Sequence, residues 1–309
     1  MYKLIASIRV LIGLIAMLVS NQTSALDLWI VELNNASSQA KKVVRELSEK
    51  LSLKINAAPK KIIVDKIKNL DPTKNILITL GSDSFENVLS KNSNIPVLAT
   101  FISKHSFQII SKKYNHSNSI SAIYSDPSPF RQIALIKTLY GANATAGIIN
   151  TEYVSTYINE YKTASTKLGV KLFISELRDG GAAETLKYLN NTRSLILVKD
   201  RALFSKISVE QILIKAYDLN QQGIIGFSRS LVKSGGLATT YSTIENISSS
   251  IYYEFNKFNE FHEFSKPDYS RFYEVISNKY VIRSLNVVGI NEKQLKRSIQ
   301  QYEKRQVKL

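Results

Sequence analysis

Short runs of uninterrupted apolar residues recur along this chain, each closed by polar or turn-forming residues and followed by helix-like spacing. NILITL at 75–80, IPVLATFI at 95–102 and SLILV at 194–198 are the clearest. A strand with one wet face alternates apolar and polar residues. A strand without alternation is covered on both faces, which calls for parallel strands with helices above and below the sheet. This pattern restricts the chain to the α/β class. Residues 119–150 show the repeating unit most plainly. An apolar strand at 120–124 meets the turn Ser125-Asp126-Pro127-Ser128-Pro129. A helix follows with Phe130, Ile133, Ile136 and Tyr140 on one arc, then a stop at Gly141 and a second apolar strand from Thr145. Similar units lie on both sides, so this one marks where the chain leaves one sheet and starts another.

At 309 residues there is room for two such lobes. Before the mid-chain unit the pattern predicts strands at 26–33, 53–56, 75–80 and 95–102. Helices are expected at 38–51, at 60–70 and around Phe85, Val88 and Leu89. Beyond it, strands are expected at 170–175, 194–198, 223–227, 237–241 and 271–276. Helices are expected at 152–169, 182–189, 208–222, 228–233, 243–258 and 279–285, with a charged helix of low apolar content at 292–308. The expectation is two successive doubly wound sheets.

The first 25 residues stand apart. Lys3 and Arg9 form a basic start, residues 10–19 are apolar except for Gly13, and Thr23-Ser24-Ala25 is a small-residue cleavage site. A membrane-spanning helix needs about 20 apolar residues, so a secretory signal cleaved after Ala25 is expected, with an uncleaved anchor as the alternative. The chain has no cysteine, hence neither disulfides nor the acylated cysteine of a lipoprotein. A freely diffusing exported protein is retained by a second membrane, which points to the periplasm. The formal net charge of +16 is compatible with an anionic ligand or with solvated surface lysines. No nucleic-acid-binding module accompanies it, so no nucleic-acid partner is expected.

Signals for catalysis are poor. Gly226-Phe227-Ser228-Arg229-Ser230 lacks the second glycine of a nucleophile elbow. His105, His116 and His262 are far apart with no metal-binding spacing, and no phosphate-binding glycine motif occurs. No cofactor and no metal are expected. In open parallel sheets, ligands gather beyond the carboxyl ends of the strands, where helix N-termini present free N–H groups. Polar residues interrupt the sequence at such places: 34–37, Gly81-Ser82-Asp83-Ser84, Ser103-Lys104, Ser125-Asp126, 150–152, Lys199-Asp200-Arg201 and Ser228-Arg229. Ordinary helix caps use the same residue types.

The succession ILITLGSDSFENVLSKNSNIPVLATFIS, ISAIYSDPSPFRQIALIKTLYGANATAGIIN, LILVKDRALF, IIGFSRSLVKSGGLATTYS and FYEVISNKYVIRSLNV resembles the substrate-binding proteins of ABC transporters. More narrowly, it resembles the uncharacterised transport-system branch that includes tryptophan- and tyrosine-binding proteins. The resemblance covers residues 75–287 and rests on segment order, with KSGGL at 233–237 and FYEVI at 272–276 the most recognisable parts. It implies a type I periplasmic-binding-protein fold: two Rossmann-like lobes joined by three hinge crossovers, here near 120–124, 238–241 and 272–276. The implied division is a signal at 1–25, a first lobe at 26–120 plus 242–271, a second lobe at 121–241 plus 272–290, and a charged helix at 291–309. It also implies a monomer, not an enzyme, that closes on a small molecule such as an aromatic amino acid and delivers it to an ABC permease. The alternative is a periplasmic sensor or adaptor that signals to a membrane receptor. Under this resemblance Ser82 and Ser84, with nearby backbone N–H groups, would hold a carboxylate and Asp200 an ammonium, with Asp83 beside them in the site. Tyr124 or Tyr241 would stack on an apolar body, and Asp126 and Ser228 would complete the site.

Overall fold

The computed structural model describes residues 26–55, 57–91, 94–114, 119–287 and 289–306. The expected signal segment lies outside the described residues. Strands of the first half are β1 (Asp27–Glu32), β2 (Lys60–Ile63), β3 (Asn75–Leu80), β4 (Val97–Ile102) and β5 (Ile120–Tyr124). Those of the second half are β6 (Thr145–Asn150), β7 (Lys171–Glu176), β8 (Ser194–Ile196), β9 (Gly223–Ile225), β10 (Ala238–Tyr241), β11 (Asp268–Tyr269) and β12 (Glu274–Ser277). The helices up to mid-chain are α1 (Ser38–Ile55), α2 (Gly81–Ser90), α3 (Lys104–Lys113) and α4 (Pro129–Tyr140). They are followed by α5 (Glu152–Leu168), α6 (Ala182–Thr185), α7 (Val209–Asn220) and α8 (Arg229–Lys233). The last are α9 (Ile244–Phe261), α10 (Lys279–Ser284) and α11 (Glu292–Gln306).

Two six-stranded sheets result, in the orders β11-β5-β4-β3-β1-β2 and β12-β10-β9-β8-β6-β7. Among the described residues every strand pairing is parallel except β10 with β12. The architecture is α/β with two doubly wound sheets. In both, the strand order reverses beside the first strand of the lobe, between β1 and β3 and between β6 and β8. Such a switch point opens a crevice beyond the strand ends.

Each sheet is covered on both faces, as unbroken apolar strands require. The first lies between a cluster of Phe85, Val88, Phe107 and Ile110 from α2 and α3 and one of Val44, Leu47, Leu51, Ile247 and Ile251 from α1 and α9. The second lies between a cluster built on α4 and α5 and another built on Leu186, Leu189, Ile212 and Leu213. The chain passes between sheets after β5, after β10 and after β11. β5 pairs along its length with β4, so the first passage follows Tyr124 rather than Ile120.

Two expected elements differ. α1 runs on to Ile55 where a strand at 53–56 was expected, and Leu51 remains in its buried stripe. The expected helix at 60–70 is instead β2 followed by a 3-10 turn at Val64–Asn69. The β-branched run Ile62-Ile63-Val64 favours extended backbone, and exposed Lys60 and Lys61 suit a sheet edge. The charged C-terminal helix is not a separate unit: α11 buries Leu295 and Ile299 in the second lobe's core. Glu303 pairs with Arg131 at 2.6 Å, and Lys296 pairs with Glu274 at 2.9 Å. Among the described residues no helix is long and apolar enough to cross a membrane.

Candidate functional site

The switch point of the first sheet holds a pocket of about 570 Å³. Its walls are the end of β1 with the turn into α1 (Asn35, Ala36, Ser37), the face of α1 carrying Val43 and Val44, and the β3–α2 junction from Leu80 to Ser84. Phe101 at the end of β4 completes it. At this junction α2 begins with no side-chain cap, its N-cap position being Leu80. Gly81 turns the chain there with φ +82°, and a Cβ added to it would meet nothing within 4 Å. The glycine therefore serves the backbone conformation and leaves the helix N-terminus open. Ser84, in the first turn, is 1% exposed, and its hydroxyl has no hydrogen-bond partner. Free N–H groups, the positive end of the helix dipole and an unspent buried hydroxyl together favour an anionic group. Ser82, Asp83 and Ser84 are thus gathered in one pocket, with Asp83 at its exposed rim. Asn35, Ser37 and Phe101 were not among the expected site residues. The polar break at 34–37 marked the first two, whereas Phe101 stands inside an apolar run.

The other expected residues lie elsewhere. Tyr124 is 5% exposed and packs edge-on against Phe107 and Tyr269. Burial first, then the charges of Asp268 and Asp126, push its phenol up to about 12. It is packed in the first lobe's core. Asp126 belongs to a seam between the lobes. Its Oδ2 accepts the Lys104 backbone N–H at 2.8 Å and the Tyr157 hydroxyl at 2.9 Å. Around it, the His105 ring hydrogen-bonds Thr156 at 2.9 Å and lies 4.6 Å from the Tyr153 ring. The Lys104 ammonium pairs with Glu160, which also accepts from the Tyr269 hydroxyl at 2.8 Å. Burial raises the Asp126 pKa and lowers that of Lys104, the second against the pull of Asp268 and Asp126. The β4–α3 turn of the first lobe is thereby tied to the outer face of α5 in the second.

Asp200 is 7% exposed beyond the end of β8. Its Oδ2 accepts the Thr151 hydroxyl at 2.5 Å and its Oδ1 the Ala202 N–H at 3.0 Å. Thr151 in turn caps α5 through the Val154 N–H at 3.0 Å. Asp200 therefore bridges the β8 loop to the α5 N-terminus across the second switch point. It caps no helix of its own, because α7 is capped by Ser208. Ser228 caps α8 through the Leu231 N–H at 3.2 Å. Tyr241, partly buried, ends β10 just before the second passage between sheets. Among the described residues no group of three His, Cys, Asp or Glu side chains is placed to hold a metal ion.

No protein-family model matches the chain, and no curated protein matches it in sequence. Solved structures do. A structure of an ABC domain in complex with L-Trp from Streptococcus pneumonia matches at 12% identity and a TM-score of 0.53, covering 88% of this chain and 98% of that one. A conserved domain protein from Vibrio cholerae matches at 13% identity and 0.54, with the same coverages of 88% and 98%. A ligand-free, open substrate-binding protein with adhesive properties from Clostridium difficile matches at 14% identity and 0.64, covering 87% and 98%. At these identities the likeness is one of fold: the bilobal type I periplasmic-binding-protein architecture.

Proposed function

We propose that this chain is an exported solute-binding protein that takes a small anionic molecule at the first lobe's switch point and encloses it by hinge motion of the second. One observation carries the reading: the uncapped N-terminus of α2 opens into a pocket of about 570 Å³ beside the orphaned Ser84 hydroxyl. That volume is in the usual range for small-molecule sites, and the open donors match a carboxylate. Three passages of the chain between sheets supply the hinge. An amino acid with an aromatic side chain is the ligand we favour, in keeping with the L-Trp bound in one structure of similar fold. In this reading the signal is cleaved after Ala25, the mature monomer works in the periplasm, and it delivers its ligand to an ABC permease without catalysing a reaction. The alternative, a periplasmic sensor that signals to a membrane receptor, would use the same fold and the same pocket.

Native mass spectrometry of the chain recovered from periplasm identifies any co-purifying molecule. Calorimetry with that molecule then compares wild type with Ser84→Ala. The loss of one hydrogen bond to a charged group, about 1.5–3 kcal/mol, predicts at least a tenfold weaker affinity. Melting temperature should hold or rise, because the deleted hydroxyl is buried without a partner. Unchanged affinity in Ser84→Ala would remove the anion from this site.

A further inference from the structure

Phe101 has left-handed backbone, φ +53°, a conformation that bulky side chains rarely adopt. The pairing of β4 with β5 explains it. Thr100 faces Ile123, but the next pair is Ile102 with Tyr124, so Phe101 is the extra residue of a β-bulge. A bulge changes which face the following side chains occupy. Val97 and Ala99 belong to the core beneath α2 and α3, and Leu98 to the core beneath α1 and α9. Strict alternation would send Phe101 after Val97 and Ala99. Instead Ile102 takes that place, while Phe101 packs on the α1–α9 side and lines the pocket. A ring that the strand period assigns to the core is turned to the site.

We infer that this bulge makes Phe101 the specificity-determining wall of the first-lobe pocket, selecting ligands that carry a flat apolar group next to their anionic one. The inference rests on the binding role proposed above and adds to it the residue that chooses among ligands. Val43, Val44 and Leu80 line the same pocket but present branched aliphatic surface. Among the described residues Phe101 supplies the pocket's one aromatic ring, and aromatic pairs gain beyond simple burial. The ring is carried by a strand of the sheet rather than by a loop.

The probes are L-tryptophan, 3-phenylpropionate, L-alanine and acetate, titrated by calorimetry into the exported chain. The variants are Phe101→Asn, which tolerates left-handed backbone and removes the ring, and Phe101→Tyr, which keeps it. Wild type and Phe101→Tyr should bind at least one ring-bearing probe tenfold or more tighter than its ringless counterpart. In Phe101→Asn that preference should vanish while the ringless affinity stays. Should Phe101→Asn fail to fold, Phe101→Leu, which keeps apolar bulk without a ring, takes its place with the same expectation. A variant that retains the preference without the ring, or a wild type that shows none, overturns the role of Phe101 and leaves the binding function standing. Failure of every probe to bind, together with native mass spectra showing no bound molecule, overturns the binding function and this inference with it.

Discussion

Replacing Asp126 by asparagine tests whether the seam between the lobes depends on charge or on shape. The carboxylate accepts two hydrogen bonds through Oδ2. Burial raises its pKa, and those bonds, with the nearby charge of His105, oppose the rise without cancelling it. Its folded-state pKa therefore exceeds the unfolded value, and the native state holds the proton more tightly. The stability this contributes is complete below the unfolded pKa, about 3.9 for aspartate, and is lost as pH rises through the folded pKa. A tenfold gain in proton affinity is worth about 1.4 kcal/mol at neutral pH, or roughly 2 °C in Tm for a chain of this size. An asparagine amide keeps an oxygen for the Lys104 N–H and the Tyr157 hydroxyl and never ionises. Asp126→Asn is therefore expected to melt at or above wild type at pH 7, with the difference closing towards pH 4. Scanning calorimetry across that pH range, without ligand, measures it. A variant that melts several degrees below wild type at pH 7 and catches up in acid would show that the ionised carboxylate stabilises the seam, which refutes the reasoning.

The second lobe offers two further tests. Gln132, 1% exposed, donates to the Gly226 carbonyl at 2.9 Å and accepts from the buried Tyr161 hydroxyl. Gln132→Ala leaves that hydroxyl unpaired and opens a cavity, so urea denaturation should show a loss of about 2–4 kcal/mol; a loss below about 1 kcal/mol would mean that the core closes over the gap. Asp200→Asn must turn its amide NH₂ towards either the Ala202 N–H or the Thr151 hydroxyl, and both donate to the carboxylate at present. A stability loss of about 1–3 kcal/mol with little change in ligand affinity is expected. Unchanged stability with a large loss of affinity would instead place Asp200 against the ligand.

How far the site was legible in the sequence depends on what kind of signal each residue leaves. Strands buried on both faces announce themselves by composition, so β3, β4 and β5 were readable. β11 is two residues long and leaves no pattern, and β2 was masked because Ile62, Ile63 and Ile67 also fit a helical spacing. The polar break at Gly81–Ser84 was visible for the same reason the strands were. Phe101 was not, because an apolar run reads alike with or without a bulge, and only the register against β5 exposes the extra residue. Tyr124, Asp126 and Asp200 have internal partners that the sequence did not show, for a different reason. A polar or aromatic residue at a strand end looks the same whether it awaits a ligand or meets a distant part of the chain. Tyr124 is closed over by Phe107 and Tyr269, Asp126 is taken by Tyr157, and Asp200 is taken by Thr151. Each of those partners is brought in by topology rather than by sequence neighbourhood. The fold thus sorts the polar strand ends into groups whose hydrogen bonds are spent inside the protein and groups whose bonds remain to be made. Ser84, buried and unpartnered at an uncapped helix start, is of the second kind, and leaving it so carries a stability penalty of about 1–3 kcal/mol that a bound anion would offset.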